Sequence, residues 1–556
     1  MIELLVGLVL GLLVIAASTL IGPKFGVASP LLLVLVGVAA SFLPLFNNFE
    51  VNPELVLQGI LPPLLYSSAV SMPTMNFRRE FGAISGLSVF LVVGSALALG
   101  LFFMLVVPGL GFAWGVALGA IVSPTDAVAT SIVKRTAASK RVVSILDGES
   151  LLNDATALVL LRTAIVATAA SFSFWGTIGT FTYSVIIAIL IGAAVGFLNL
   201  QIRKRISDST VNTVISFAVP FAASLPTELL GGSGLVAAVV AGLITGVRAA
   251  RTFTPQNRIS DAHNWRTIEL VLEGTVFLTM GLEMTAIIED VTRGLGGIGI
   301  ALWVSLGALA LIILVRAAFV APLLWILAMR RRRLERLLPH IRGFGDQLKD
   351  PEGRERARHR LAQRGLPLSD SGLNHYSRRV IRSVADIQYF LRDPLGWREG
   401  TILVWAGMRG AVTVAAAQTL PSDTPQRTLL ILIAFAVALL SLLIQGGTIG
   451  PLVRMISPRV DRESVEAESR AERMRLLEVM REGADAVPEP QLPNTATREQ
   501  RLATTKRYHL AKLRAERRAL LKARDHGTFD ADVLEDALAN LDASQIALEM
   551  RGPHDG

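Results

Sequence analysis

The sequence predicts an all-α polytopic membrane protein, with about thirteen transmembrane helices and a helical cytoplasmic tail. Of its 556 residues, 52% are hydrophobic and only 18% are charged, whereas soluble domains carry about 25% charged residues. The apolar residues also come in runs long enough to cross a bilayer, which takes about 20 residues. The chain has no cysteine, so disulfides and thiolate metal sites are excluded.

The apolar runs define the predicted transmembrane helices one after another. They cover 2–21, 26–46, 53–72, 80–107, 110–133, 142–169, 174–202, 209–229, 232–247, 266–289, 295–329, 398–420 and 428–455. The first run lacks a basic leading segment and a cleavage site, so we expect it to remain as a membrane helix rather than act as a signal peptide.

Basic residues in the short loops predict the orientation in the membrane, because cytoplasmic loops carry an excess of lysine and arginine. One side of the membrane has only Arg293 and Arg427. The other side has Lys24, Arg78, Arg79, Lys134, Arg135, Lys140, Arg141, Arg203, Lys204, Arg205, Arg248, Arg251, Arg258 and Arg266. This asymmetry predicts an N-terminus outside and a C-terminus in the cytoplasm. It also assigns the net charge of +9 to topology rather than to nucleic-acid binding.

Two polar regions divide the predicted domains. Residues 1–455 form the transmembrane domain, interrupted by a basic cytoplasmic insert at 330–397, and residues 456–556 form a helical cytoplasmic tail. The run Arg330–Arg333 favours an anchor on anionic lipid; a regulatory ligand site is the alternative.

Several charged side chains fall inside the predicted transmembrane runs, where each costs about 2.5–3.5 kcal/mol at a helix centre on the insertion scale. They are Asp126, Glu149, Asp154, Arg162, Glu269, Glu273, Glu283, Arg316 and Arg409. A single such residue is compatible with a buried ion pair or a side chain that reaches the surface. The whole set favours an ion pathway.

The fifth run predicts a discontinuous helix. Pro124 removes a backbone donor in mid-span, and Ser123 before it is pushed toward extended geometry. Broken backbone at membrane depth survives where it is buried or lines a wet cavity. Because Thr125 and Asp126 follow the break at once, a cation site is favoured over a simple kink.

The sixth run places two carboxylates on one helix. Asp154 lies thirteen residues beyond Arg141, about 20 Å along the helix and near the midplane. Glu149 with Asn153, and Ser150 with Asp154, form two pairs at i and i+4, which occupy one face. A face with only oxygen ligands suits a hard monovalent cation such as sodium.

Two arginines are predicted to balance these acids. Arg409, in "GMRGAV", keeps a fixed positive charge and would face the break in the fifth run. Arg316 lies in an apolar run and needs an anion, for which Glu149 is the natural partner. Two halves facing each other in this way are typical of inverted-repeat transporters.

Five motifs together resemble the sodium/hydrogen exchanger family in its bacterial form, the first cation–proton antiporter group. They are "LPPLLYSSAV" (61–70), "SPTDAVA" (123–129), "GESLLNDATALVL" (148–160), "FLTMGLE" (277–283) and "GMRGAV" (407–412). The resemblance covers roughly 1–455, and "AERRALLKARDHGTFDADVLEDALANLD" resembles the tail of bacterial members. It implies a homodimer in the plasma membrane, each subunit with interface helices and a six-helix core, spans 4–6 and 11–13, that moves like an elevator.

The resemblance also implies roles for single residues. Asp154 would bind either the cation or a proton, and Asn153 belongs to a pair associated with electroneutral exchange. Glu149 and Ser150 would lie beside the ion, and Thr125 would add an oxygen ligand. The sodium ion would therefore sit among Asp154, Ser150 and Thr125.

Supporting charges follow from the same motifs. Asp126 would stabilise the unwound crossing, Arg409 would face it, and Arg316 would pair with Glu149. The expected partners are a monovalent cation, a proton and membrane lipid; no nucleic acid and no cofactor are expected. Glu273 departs from the family, since many members have a neutral residue in that region.

The expected activity is exchange of sodium for protons. Removal from water favours the neutral form of a carboxylate, and a cation needs the charged form, so the two compete for one site. Potassium/proton exchange is the main alternative, and a cation channel is the remote one. An intramembrane enzyme is disfavoured, because no serine–lysine, paired-aspartate or zinc-ligand set in the spans rivals the antiporter motifs. A protease dyad of Asp126 and Asp154 is remote in the context of "GESLLND" and Arg409.

Overall fold

The computed structural model describes residues 2–25, 28–43, 46, 51–136, 138–169, 174–293, 298–347, 355–356, 358–359, 363, 369–456, 462–491 and 497–550. No strand occurs among these residues. The chain divides into two compact units. The first comprises 1–323 and 397–458, and the second comprises 324–396 and 459–556.

The helices that begin in the first unit are short where proline or a π-helical turn interrupts them. In chain order they are α1 (Ile2–Phe25), α2 (Ser29–Ser41), α3 (Leu61–Ser71, after a π turn at Leu55–Ile60), α4 (Thr74–Ser85), α5 (Val92–Val106, after a π turn at Gly86–Leu91), α6 (Phe112–Val122), α7 (Val128–Lys134), α8 (Lys140–Ala169), α9 (Phe174–Arg203), α10 (Ser209–Leu229), α11 (Gly234–Thr252), α12 (Pro255–Leu282), α13 (Met284–Arg293) and α14 (Ile298–Gln347).

Each predicted apolar run coincides with one helix or with a pair of helices, which confirms the all-α membrane class. In the described part of the chain, eight helical segments are long and apolar enough to cross a membrane, and three more are shorter and apolar. The count of thirteen crossings stays a prediction. The helix α14 runs on without a break past Arg330, where the sequence predicted the insert to begin.

The rest of the first unit returns through a second broken crossing. It contains α16 (Trp397–Trp405), α17 (Ala411–Gln418), α18 (Arg427–Ser441, followed by a π turn at Leu442–Gly446) and α19 (Gly447–Ile456). Side-chain caps begin several of the earlier helices where polar residues precede an apolar run. The Asp208 side chain, for example, accepts hydrogen bonds from the backbone of Thr210 and Val211 at the start of α10.

The helices of the first unit pack as two groups, and α13 contacts helices of both. One group, here called the scaffold group, consists of α1, α2, α3 and α9–α12, which contact one another extensively. The other, called the site group, consists of α4–α8, α14 and α16–α19. α14 joins the site group through Ser305, which donates to the Ile433 carbonyl of α18 (3.3 Å), and through Phe319, which lies against Gly86.

The seam between the two groups is largely apolar. Leu61 and Leu65 of α3 pack there against Leu151 and Ala155 of α8, with Val239 of α11 beside them. Apolar contacts have no directional bonds to break, so such a seam tolerates sliding better than a hydrogen-bonded one.

The second unit has its own helical core. Its described helices are α15 (Asp370–Arg392), α20 (Arg462–Asp485), α21 (Arg498–His526) and α22 (Ala531–Met550). Leu476, Leu520, Val533 and Leu541 are buried together between α20, α21 and α22. α21 begins with a capping box and ends at Gly527 in the left-handed conformation.

Candidate functional site

Two broken crossings of the site group meet at their breaks. Between α6 and α7 the chain unwinds at 123–127, and between α16 and α17 it unwinds at 406–410. The Asp126 backbone N–H donates a hydrogen bond to the Met408 carbonyl (2.8 Å), so the breaks are joined directly. Only glycine fits at 410, because a Cβ there would lie 1.3 Å from Asp126 Oδ2.

The two arginines satisfy the carbonyls that the breaks leave free. Arg409 Nε donates to the Val122 carbonyl (2.8 Å) and Nη2 donates to the Ser123 carbonyl (3.2 Å), at the C-terminal end of α6. Arg316 Nε donates to the Leu403 carbonyl (2.7 Å), near the end of α16. A cation at a helix C-terminus is favourable because of the helix dipole, so both guanidinium groups stabilise the broken crossings.

Glu149 is held rigidly by fixed partners. Arg316 makes two parallel bonds to it, Nη2 to Oε2 at 2.7 Å and Nη1 to Oε1. Both side chains are only 2% exposed, so the pair is fully desolvated. The Thr125 hydroxyl also donates to Glu149 Oε1 (3.1 Å). The predicted pairing of Glu149 with Arg316 is present in the structure.

Asn153 positions Thr125. Its Nδ2 donates to the Thr125 carbonyl (2.9 Å) and lies 2.7 Å from the Thr125 hydroxyl. The residue is buried, and it does not line the cavity that Thr125 borders. Neither does Glu149. The polar face predicted on α8 is therefore divided: Glu149 and Asn153 lie behind Thr125, while Ser150 and Asp154 face open space.

That space is a cavity of about 100 Å³ at the seam between the two groups. The site group contributes Thr125, Asp126, Ser150 and Asp154 to its wall. Thr413 of α17 also borders it, and the scaffold group contributes Ser68, Glu269 and Glu273. Among the described residues no cluster of three His, Asp or Glu side chains forms a metal site. The oxygen atoms that line the cavity belong to separate helices, and the packing of these helices brings the atoms together.

Asp154 lies between this cavity and a small apolar space on its other side. The apolar space is bordered by Ile121, Leu158 and Leu161. At the start of α8, Lys134 Nζ and Asp147 Oδ2 form an ion pair at 2.9 Å. Asp154 is thus bordered by a cavity with polar side chains on one side and by an apolar space on the other.

Sequence reasoning missed three features of this region. The second break was not predicted, although Gly407 and Gly410 flank Met408–Arg409. Arg141, used as a marker of the membrane surface, is buried in an ion pair with Glu80 (2.6 Å). Ser441 was also missed. Its hydroxyl accepts a hydrogen bond from the backbone N–H of Arg409 (2.7 Å), and the apolar sequence around Ser441 does not indicate this role.

Broken helices that meet beside buried charges are typical of secondary transporters. The sodium/hydrogen exchanger transmembrane family matches residues 9–348 and 375–455 of the chain. The chain therefore belongs to the sodium/hydrogen exchanger family.

Known relatives agree with this assignment. A Mycobacterium tuberculosis protein described as a sodium/proton exchanger is 27% identical over 464 residues, 81% of this chain and 75% of that protein. The sodium/proton antiporter ApNhaP of Aphanothece halophytica is 26% identical over 500 residues, 89% and 81% of the two chains. The solved sodium/proton antiporter MjNhaP1 of Methanocaldococcus jannaschii shares the fold, with a TM-score of 0.54 and 15% identity over 82% of this chain and 99% of that chain.

Family membership gives the protein its general activity. It is a multi-pass membrane protein and a secondary transporter that exchanges a cation for protons, and it is not an enzyme.

Proposed function

We propose that the protein exchanges sodium for protons one for one, with both ions competing for Asp154. The observation that carries this proposal is the contrast on α8. Glu149 is neutralised by Arg316, whereas Asp154 faces the cavity and no basic side chain pairs with it among the described residues. An acid buried without a cation is stable only if it is protonated or binds a mobile cation.

The ligands proposed for sodium are oxygen atoms of Asp154, Ser150 and Thr125. All three border the cavity, and carboxylate, hydroxyl and carbonyl oxygens suit a hard cation. Potassium/proton exchange at the same residues is the second candidate, since oxygen ligands alone do not select between the two ions.

Electroneutral exchange follows if one carboxylate carries either one proton or one sodium ion. Each crossing of the site then moves one positive charge in either form, and no net charge accumulates. The Glu149–Arg316 pair contributes no mobile charge to this cycle, because two bonds hold the guanidinium on the carboxylate.

Alternating access is proposed as movement of the site group along the scaffold group. The apolar seam supports this movement, because the proposed ligands Asp154, Ser150 and Thr125 all belong to the site group and would move together. The cavity is proposed to face the cytoplasm, in keeping with the predicted orientation, in which the N-terminus is outside. The scaffold group is the proposed homodimer interface, and the plasma membrane is the proposed location.

Proteoliposomes that contain a pH-sensitive dye test the proposal. A sodium gradient should drive proton flux of the opposite direction in the wild type, and Asp154→Asn should abolish it. Clamping the membrane potential with potassium and valinomycin should leave the wild-type rate unchanged, as expected for electroneutral exchange. Repeating the assay with lithium and potassium as the driving cation gives the selectivity.

Asp423→Asn is a matched control, because Asp423 is an exposed aspartate outside the site. It should exchange ions like the wild type. Exchange that survives in Asp154→Asn would contradict the assignment of the shared site, and a rate that follows the clamped potential would contradict the one-for-one ratio.

A further inference from the structure

Glu273 is the carboxylate that the proposed cycle does not yet use. It lies on α12 of the scaffold group and borders the same cavity as Asp154. Glu269 is one turn earlier, at i−4, so the two glutamates share a helix face. The Ser67 hydroxyl donates to Glu269 Oε2 (3.1 Å), whereas no hydrogen bond or ion pair holds Glu273 within the described residues.

The carboxylates of the cavity wall, Glu273 among them, need mobile positive charges as partners. Four carboxylates border the space, and none of the residues that line it is a lysine, arginine or histidine. Glu273 shares this cavity wall with Asp126 and Glu269. Acids that share one space without a basic side chain must be balanced by protons or by cations that enter.

Glu273 lies on the opposite side of the seam from Asp154, and this limits its role to one of the two states of the transporter. Asp154 and Thr125 belong to the site group, and Glu273 belongs to the scaffold group. If the site group moves, as proposed above, Asp154 leaves the neighbourhood of Glu273. Glu273 can therefore help a cation only while the cavity is open to the side seen here.

We propose that Glu273 is a cation-loading residue of the open cavity. It shares the cation with Asp154 while the cavity is open and remains on the scaffold group when the site crosses. This rests on the proposed function, because it takes Asp154 as the travelling site. The ligand is a monovalent cation, and the expected consequence is a lower sodium KM at the cavity face than Asp154 alone would give.

Sided transport assays on the full chain test this inference. Everted membrane vesicles present the predicted cytoplasmic face to added sodium, and right-side-out vesicles present the opposite face. Glu273→Gln should raise the sodium KM at the cytoplasmic face by roughly tenfold, the lower end of what losing a supporting group costs a metal site. The KM at the opposite face should stay within twofold of wild type, and Glu273→Asp should restore part of the loss.

Glu54→Gln provides the matched control, since Glu54 is an exposed glutamate before α3 on the same group of helices; both KM values should be unchanged in this variant. A Glu273→Gln variant with equal changes at both faces, or with no change at either, would overturn the inference. Wild-type exchange and an inactive Asp154→Asn would then still support the shared site. Detergent gel filtration of each variant identifies any that fails to fold, and Glu273→Asp then carries the same sided comparison.

Discussion

Glu149 and Asp154 of α8 have opposite surroundings although they are only five residues apart. Glu149 is 1% exposed and is bound by Arg316 and Thr125. Asp154 touches the cavity on one side and a small apolar space on the other. The same helix therefore holds one carboxylate whose charge is fixed by the protein and one whose charge is left for mobile ions.

This difference shows why a transport site needs both kinds of acid. The fixed pair and the two arginine caps keep the broken crossings in shape, so the empty site need not collapse when its ion leaves. The free acid supplies the exchange. A site in which Asp154 also had an arginine partner would have no charge left to bind sodium.

The largest expected effect comes from breaking the fixed pair. Glu149→Gln or Arg316→Met alone leaves a buried unpaired charge, so we expect each to lower the free energy of unfolding by about 3–5 kcal/mol. The double variant should lose clearly less than the sum of the two, because neither charge is then left alone. Thermal unfolding in detergent, followed by tryptophan fluorescence, gives the three values; simple additivity would contradict the pairing.

An intermediate effect is expected from Asn153→Ala. The substitution removes the donor to the Thr125 carbonyl, and a buried group that loses its partner costs about 1–3 kcal/mol. The sodium KM should rise as well, because Thr125 is no longer positioned at the cavity. Thr163→Val is the control on the same helix: its hydroxyl donates to the Val159 carbonyl (2.8 Å) and it does not line the cavity, so its sodium KM should not change. An unchanged sodium KM in Asn153→Ala would show that Asn153 does not support sodium binding.

Local sequence rules predicted much of the fold and part of the site. Pro124 after Ser123 gave the first break, and the 3.6-residue period placed Glu149 and Asp154 on α8. The second break lacks a proline; only the tertiary contacts of Arg409 and Asp126 show it. The helical period could not predict which residues of the α8 face are buried and which border the cavity. That division depends on contacts with Thr125 and Arg316, which are distant in sequence.

The smallest effect is expected where α8 carries an exposed pair. Arg162 Nη2 lies 3.3 Å from both carboxylate oxygens of Glu228 on α10, with side chains 59% and 26% exposed. Exposed pairs contribute about 0.2–1 kcal/mol, so Arg162→Gln should lower the free energy of unfolding by no more than that. Salt shields exposed charges, and the difference from wild type should therefore shrink in 1 M sodium chloride, whereas the loss in Arg316→Met should persist. If Arg162→Gln lowered the free energy of unfolding as much as Arg316→Met, burial would not explain the larger contribution expected of the Glu149–Arg316 pair.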